Sequence, residues 1–321
     1  MTQLVTVFGG SGFVGKYVVR ALCKAGYRVR VAMRRPHLGN DLRVMGVVGQ
    51  VQLVQANVKN PESIARALEG VDAVINLVGL LSEKGSQTFN NVVEEGAKNV
   101  AEAAKAAKIK KFVFMSAIHN DESGSKYAQT KTAAENAVKA AIPSATIIRP
   151  SVIFGVEDDF FNKFAAMSRL TPIMPLIGGG KTLFQPVYAN DVALAFVASL
   201  QNPKAEGKTY ELGGPETYSF EQIIKYIQKE ICRPRLYVNI PLGLMQFGGS
   251  VLDALFRINP FAEPPFTGDQ MKLLKFDNVV GAKSLGFKDL GISETTSVEA
   301  IVPSYLYRFK PHGQFEPRVV G

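Results

Sequence analysis

Gly9-Gly10-Ser11-Gly12-Phe13-Val14-Gly15 is the stretch whose reading decides the fold of this chain. It follows Leu4-Val5-Thr6-Val7-Phe8, an apolar, β-branched run of the length expected for a buried parallel strand. It opens a pattern in which Phe13, Val14, Tyr17, Val18, Ala21 and Leu22 share one helical face. A strand, a glycine turn and a helix in that order form a seat for a dinucleotide pyrophosphate. Gly9 permits the tight turn, Gly12 lets the backbone approach the phosphates, and Gly15 lets the helix pack closely on the strand. The free N–H groups and positive dipole end of the helix then face the anion. The spacing is G-x-x-G-x-x-G rather than G-x-G-x-x-G, and glycine turns are common in a chain with 29 glycines. The flanking strand and helix therefore carry the assignment.

Outward from this unit, strands are expected at Arg28–Ala32, Val51–Gln55, Ala73–Val78, Lys111–Ser116 and Thr146–Pro150. Between them lie short helices near Leu42 and after Pro61, a long Ala-rich helix from Phe89 to Ala107, and another from Lys126 to Ala140. Such alternation specifies an α/β, Rossmann-type, doubly wound parallel sheet. Residues 1–155 form the dinucleotide-binding core, and residues 156–321 a smaller C-terminal α/β lid and tail, with 182–212 returning to the sheet. In that second half Thr171–Gly180 and Asn259–Gly268 read as loops, and Ser219–Ile231 as a helix with Ser219 and Gln222 in a capping box.

Composition narrows the function classes. A hydrophobic content of 46% with 20% charged residues describes a folded chain, not a disordered one. Cys23 and Cys232 are the only cysteines, and His37, His119 and His312 are scattered, so neither a disulfide scaffold nor a metal site is expected. The first strand begins within a few residues of Met1, with no secretory or transit signal before it, which predicts a cytoplasmic protein. The most apolar stretch, 241–256, is interrupted by Gly, Gln and Asp and is not a membrane span. The formal charge of +9 suits an anionic lipid or acidic protein partner. No basic helix with interleaved aromatics appears, so no nucleic-acid partner is expected.

Candidate chemistry lies beyond the fifth strand. Ser116 ends that strand, and Tyr127 and Lys131 share one face of the following helix. A lysine ammonium one turn from a tyrosine favours the phenolate and can also hold nicotinamide-ribose hydroxyls. Arg34 and Arg35 follow the second strand, where an NAD site offers an acidic residue to the ribose. Guanidinium groups there would grip a 2′-phosphate instead, which predicts NADPH as the cofactor.

With those motifs in view, the chain resembles the extended and atypical short-chain dehydrogenase/reductases from Leu4 to about Leu212. The resemblance implies phosphate contacts at Gly9, Ser11, Gly12, Phe13 and Val14, and adenine contacts at Asn57 and Val58, with Asn57 in place of the usual Asp. It implies ribose contacts at Leu77 and Gly79, and nicotinamide contacts at Pro150 and Ser151, beside Ser116, Tyr127 and Lys131. A narrower likeness rests on 42–50 (LRVMGVVGQ), 149–155 (RPSVIFG), Glu157-Asp158, Phe161–Phe164, Gln185–Tyr188, Asp191-Val192, Ile258–Phe261 and Tyr307-Arg308. In these segments the chain is similar to the nucleotide-binding accessory subunit of respiratory complex I (NADH:ubiquinone oxidoreductase). That likeness implies NADPH held without turnover and other complex I subunits as partners, and the basic charge is compatible with peripheral contact with anionic lipid. The likeness also implies a place on the cytoplasmic face of a bacterial inner membrane, or on the matrix side in a eukaryote. The bare site chemistry keeps a second reading open, an active NADP-dependent reductase or epimerase acting through Ser116, Tyr127 and Lys131.

Overall fold

A computed structural model of the chain describes residues 2–83, 85–240 and 268–315. Six strands, β1 (Leu4–Phe8), β2 (Arg28–Met33), β3 (Val51–Gln55), β4 (Ala73–Asn76), β5 (Lys111–Met115) and β6 (Thr146–Pro150), are joined by a seventh at Thr209–Leu212. All pair in parallel, in the order β3-β2-β1-β4-β5-β6 with Thr209–Leu212 at the far edge. The order reverses between β1 and β4, so the crevice for a ligand opens at the carboxyl ends of those two strands.

Helices cover both faces. Helix α1 (Phe13–Lys24) and the helix Ala189–Gln201 pack on one side, where Val18, Leu22, Val192 and Phe196 are fully buried with Val5, Val7 and Val31. Helix α2 (Asn40–Arg43) is a single turn at the rim of this same side, with Leu42 buried in its cluster, while on the other side α3 (Pro61–Ala67), α4 (Glu95–Ala106) and α5 (Lys126–Ala141) cover Phe8, Val74, Phe112 and Ile147. Most of this follows the sequence pattern. The expected Phe89–Ala107 helix is modified at its start, where Asn90–Glu94 forms a π-helical turn ahead of α4, with Val92 and Val93 both buried. Strand β4 stops at Asn76 because the Asn76 side chain accepts from the Val78 amide (3.1 Å), which competes with the ladder.

A third cluster holds the smaller layer together. Phe154, Phe161, Phe164 and Phe220 pack with Ile224, Ile227 and Val302, largely edge to face. The buried Asp158 ties this layer down: it accepts from Tyr305 (2.5 Å), Gly155 N (3.1 Å) and Asn162 N (3.2 Å). The helix Phe220–Glu230 starts with the Ser219/Gln222 capping box. The expected loop at Thr171–Gly180 is corrected: Ile173–Ile177 is a strand paired in parallel with Leu236–Ile240. Its partner lies some sixty residues away, and the interrupting Pro175 is tolerated because the sheet has only two strands. The 241–256 stretch, Ile258–Phe261 and all but the last residue of Asn259–Gly268 lie outside the described residues. Among the described residues no helix is long and apolar enough to cross a membrane.

Helix α1 reaches the sheet only because position 15 lacks a side chain. A Cβ on Gly15 would sit 2.3 Å from Gly9 O and 2.6 Å from the Gly10 backbone. Gly15→Ala should therefore force α1 off the turn and cost about 2–3 kcal/mol, an overpacking penalty. Urea unfolding without added nucleotide measures it, and an unchanged midpoint would show that the helix does not bear on the turn.

Candidate functional site

The glycine turn is built for an anion. Gly9 adopts φ +79 and approaches β4 so closely that a Cβ would lie 3.0 Å from the Leu77 carbonyl carbon. Gly12 caps α1 without a side-chain hydrogen bond, and a Cβ there would touch only Gly9 O, at 3.4 Å. No acidic residue occupies the first turn of α1. The first-turn amides, Phe13 and Val14 among them, have no intrahelical acceptor and face the crevice. Ser11 sits exposed at the turn's tip. These groups suit the pyrophosphate of a dinucleotide.

Around the crevice the other expected residues fall into two groups. Arg34 and Arg35 are exposed where β2 ends, and neither meets a carboxylate among the described residues. Asn57 is exposed after β3, its Oδ1 accepting from Lys59 N (3.1 Å) in a local turn, while Val58 is buried against Gly96. This places the Arg pair and Asn57 on the β2–β3 side, where an adenosine half would lie. Leu77 is buried, and the exposed Gly79 lies beside Lys131, since its Cβ would stand 3.7 Å from Lys131 Nζ. Pro150 and Ser151 follow β6, but the Ser151 hydroxyl is already engaged by Asn278, at 2.8 Å to its O and 2.7 Å to its Oδ1.

Lys131 is the electrostatic centre of the second group. It is 2% exposed, donates to Met115 O (3.2 Å), and stands 5.8 Å from the Tyr127 ring centroid. Burial pulls its ammonium down to about 8, against the opposing pull of Glu135. Burial also disfavours ionisation of Glu135, yet the paired bonds from Arg149 (2.8 and 2.7 Å) prevail and hold the carboxyl below its usual range. Ser116 Oγ stands near that carboxylate and helps it ionise, but makes no hydrogen bond of sound geometry. Ser116 Oγ and Asn76 Nδ2 are thus buried polar atoms without partners, both at the carboxyl edge of the sheet.

Tyr127 lies one turn from Lys131 on α5, with the Lys131 ammonium 5.8 Å from its ring centroid. Its half-buried ring lies edge-on to Phe89 (centroids 5.7 Å apart), and burial pushes the phenol up to about 12. Burial thus acts against the phenolate that a neighbouring ammonium would favour.

Two site residues had no signal in the sequence pattern. Asp269, from the C-terminal half, accepts from Ser125 Oγ (2.8 Å), Lys126 N (2.8 Å) and Tyr127 N (3.0 Å), and so caps the helix that carries Tyr127 and Lys131. Asn278 accepts from Ser151 Oγ and Val152 N (3.1 Å) and donates to Ile118 O (2.9 Å), joining the loops after β5 and β6.

The chain matches the model of the NmrA-like family over residues 1–247. It is 34% identical over 313 residues to the mitochondrial NADH dehydrogenase [ubiquinone] 1 alpha subcomplex subunit 9 of Mus musculus, covering 95% of this chain and 81% of that one. The chain belongs to the NmrA-like family and to the family of complex I alpha subcomplex subunit 9. Members of the latter are subunits of the respiratory NADH:ubiquinone oxidoreductase. A ceramide reductase of Caulobacter vibrioides is 32% identical over 200 residues, 62% of each chain. In fold the chain is similar to the NADPH-dependent quinone oxidoreductase of Escherichia coli, solved with NADPH (TM-score 0.72, 20% identity, 94% of this chain and 99% of that one).

Because burial lowers the Lys131 pKa, its charge opposes folding at neutral pH. The unfolded lysine binds its proton up to its ordinary pKa near 10.5, whereas the folded one releases it near 8. Between those values the unfolded state holds more protons, so this group adds stability as pH rises. Tyr127 opposes this only toward the upper end of the window: its unfolded phenol ionises near 10 and its folded one near 12, so stability falls with rising pH from about 10. Lys131→Met should therefore stabilise the nucleotide-free protein at pH 7, by up to about 3 kcal/mol, and the gain should shrink as pH approaches 10. Denaturant titrations of both proteins at several pH values check this. A gain independent of pH would mean that the lysine is not held against its charge.

Asp269→Ala removes the acceptor of the Lys126 and Tyr127 amides, leaving the Ser125 hydroxyl as the N-cap of α5 through Ala128 N, and should cost about 1–2 kcal/mol. Amide exchange at Lys126 and Tyr127 should accelerate ahead of the rest of the helix; uniform protection would show that the Asp269 contact is idle.

Proposed function

We propose that this chain holds NADP(H) as a resident ligand and acts as an accessory subunit that stabilises or helps assemble respiratory complex I, without turning over a substrate. The observation that carries the reading is the kinship with subunit 9, which extends through the smaller layer as well as the nucleotide-binding half. The site supports it. The open turn at Gly9–Val14 suits the pyrophosphate, and unpaired Arg34 and Arg35 suit a 2′-phosphate. Asn57 and Val58 border the adenine side, and Leu77, Gly79 and Lys131 the nicotinamide ribose. A bound nicotinamide would supply hydride chemistry, and a phenol pushed up to about 12 is far from the near-neutral pKa that suits acid–base work. In this reading Ser116, Tyr127 and Lys131 hold and orient the cofactor. The partners are the other complex I subunits at the junction of its peripheral and membrane arms, with anionic lipid at the margin. The location is the cytoplasmic face of a bacterial inner membrane, or the matrix side in a mitochondrion.

One observation favours the alternative of an active NADP-dependent reductase or epimerase: Ser116 Oγ is buried, unpartnered and on the same sheet edge as Tyr127. Tyr127→Phe separates the two readings, because it removes only the hydroxyl. Comigration with NADH:quinone oxidoreductase activity should survive it; loss of a soluble NADPH-dependent activity, with that comigration never present, favours the reductase.

For the cofactor, Arg34→Glu with Arg35→Glu should weaken NADPH far more than NADH, since each lost charge-assisted contact costs about 1.5–3 kcal/mol. Titration of the purified double variant with both nucleotides checks this, and equal weakening refutes the phosphate grip.

A further inference from the structure

The loop between α2 and β3 carries valines that the fold does not use. Gln50 N donates to Val47 O (3.0 Å), and Gly49, at φ +77, takes the position that a type II turn reserves for glycine. The Gln50 side chain fixes the loop further: Oε1 accepts from Val47 N (2.9 Å), and Nε2 donates to Cys23 O (2.8 Å) and Tyr27 O (2.9 Å). Gly46 is pressed so close that a Cβ would lie 2.9 Å from Cys23 Sγ and 2.5 Å from Gln50 Oε1. Met45 packs against the core. That leaves Val44, Val47 and Val48, at 82%, 74% and 105% exposure. Valine is not a turn residue, and any polar side chain would serve these positions with less apolar surface in water. A lone exposed valine needs no explanation, but three within five residues of a pinned loop form a patch.

The unpaired charge beside this patch is basic, since the nearby Asp41 is ion-paired with Lys16 (3.5 Å). Lys24 and Arg28 flank the Cys23–Tyr27 turn that Gln50 holds, and Arg43 precedes the valines; all three are exposed. None pairs with a carboxylate among the described residues, and 20–30 and 42–52 contain no Asp or Glu. We propose that this knob docks into an apolar pocket rimmed by carboxylates on a neighbouring protein subunit. The proposal rests on the accessory-subunit reading above and adds the surface that meets a partner. A pinned loop loses little freedom on binding, and basic flanks select an acidic rim. A protein pocket fits better than a lipid surface, which favours Trp and Tyr anchors and larger basic clusters than these three residues.

The test places Val47→Asp with Val48→Asp in the full chain in its own cell, then separates gently solubilised membranes by native electrophoresis. The double variant should lose about tenfold or more of its comigration with NADH:quinone oxidoreductase activity, with melting temperature and bound nucleotide as in the unaltered chain. Lys24→Glu with Arg28→Glu should reduce comigration as well, since those residues lie on the rim. If the unaltered chain does not comigrate, the subunit reading falls and the knob with it. If it does, and both variants comigrate equally well, the knob alone is overturned. Retained comigration with loss of flotation on phosphatidylglycerol vesicles would assign the surface to lipid and also overturn the proposal.

Discussion

Gly15 and Gly9 meet with no room for a methyl group between them, and the rest of the site depends on that contact. It brings the amino end of α1 down onto the turn after β1, so that the unsatisfied amides of the first turn point into the crevice at the switch of strand order. The same turn leans on β4 through Gly9 and Leu77, which fixes the distance between the phosphate seat and the β4–β5 side. One steric constraint thus sets both walls of the cleft.

Buried charge organises the opposite wall. Lys131, Glu135, Arg149 and Glu211 run from the cleft toward the sheet's far edge, with Glu135 almost fully buried between the first and third. Replacing such a set with apolar residues often leaves a protein no less stable, so stability is a weak reason for its presence. Its effect here is positional: Glu135 keeps a positive charge affordable at Lys131, beside Gly79 and the unpartnered Ser116 Oγ. The low dielectric that makes the lysine costly also pushes the Tyr127 phenol up.

The C-terminal half enters this wall directly. Asp269 caps the helix bearing Tyr127 and Lys131, and Asn278 bridges the loops after β5 and β6. Tyr305 and Thr296 perform similar ties elsewhere, at Asp158 and Asp191. The smaller layer is therefore part of the cleft's framework.

Local pattern by itself determined the glycine turn, the six leading strands within a residue or two, the helix at Lys126–Ala141 and the Ser219/Gln222 cap. Each depends on residues a few positions apart: a φ that only glycine takes easily, an alternation, a hydroxyl three residues before an amide. It also put Arg34, Arg35, Tyr127 and Lys131 at the ends of elements that converge on one edge. Tertiary structure decided the pairing of Ile173–Ile177 with Leu236–Ile240, the capping of α5 by a residue more than 140 positions away, and the loss of the Ser151 hydroxyl to Asn278. It also decided which way burial moves the pKa values of Tyr127 and Lys131. A pKa depends on how much water is excluded and on which charges stand near, and neither exists until distant segments pack together.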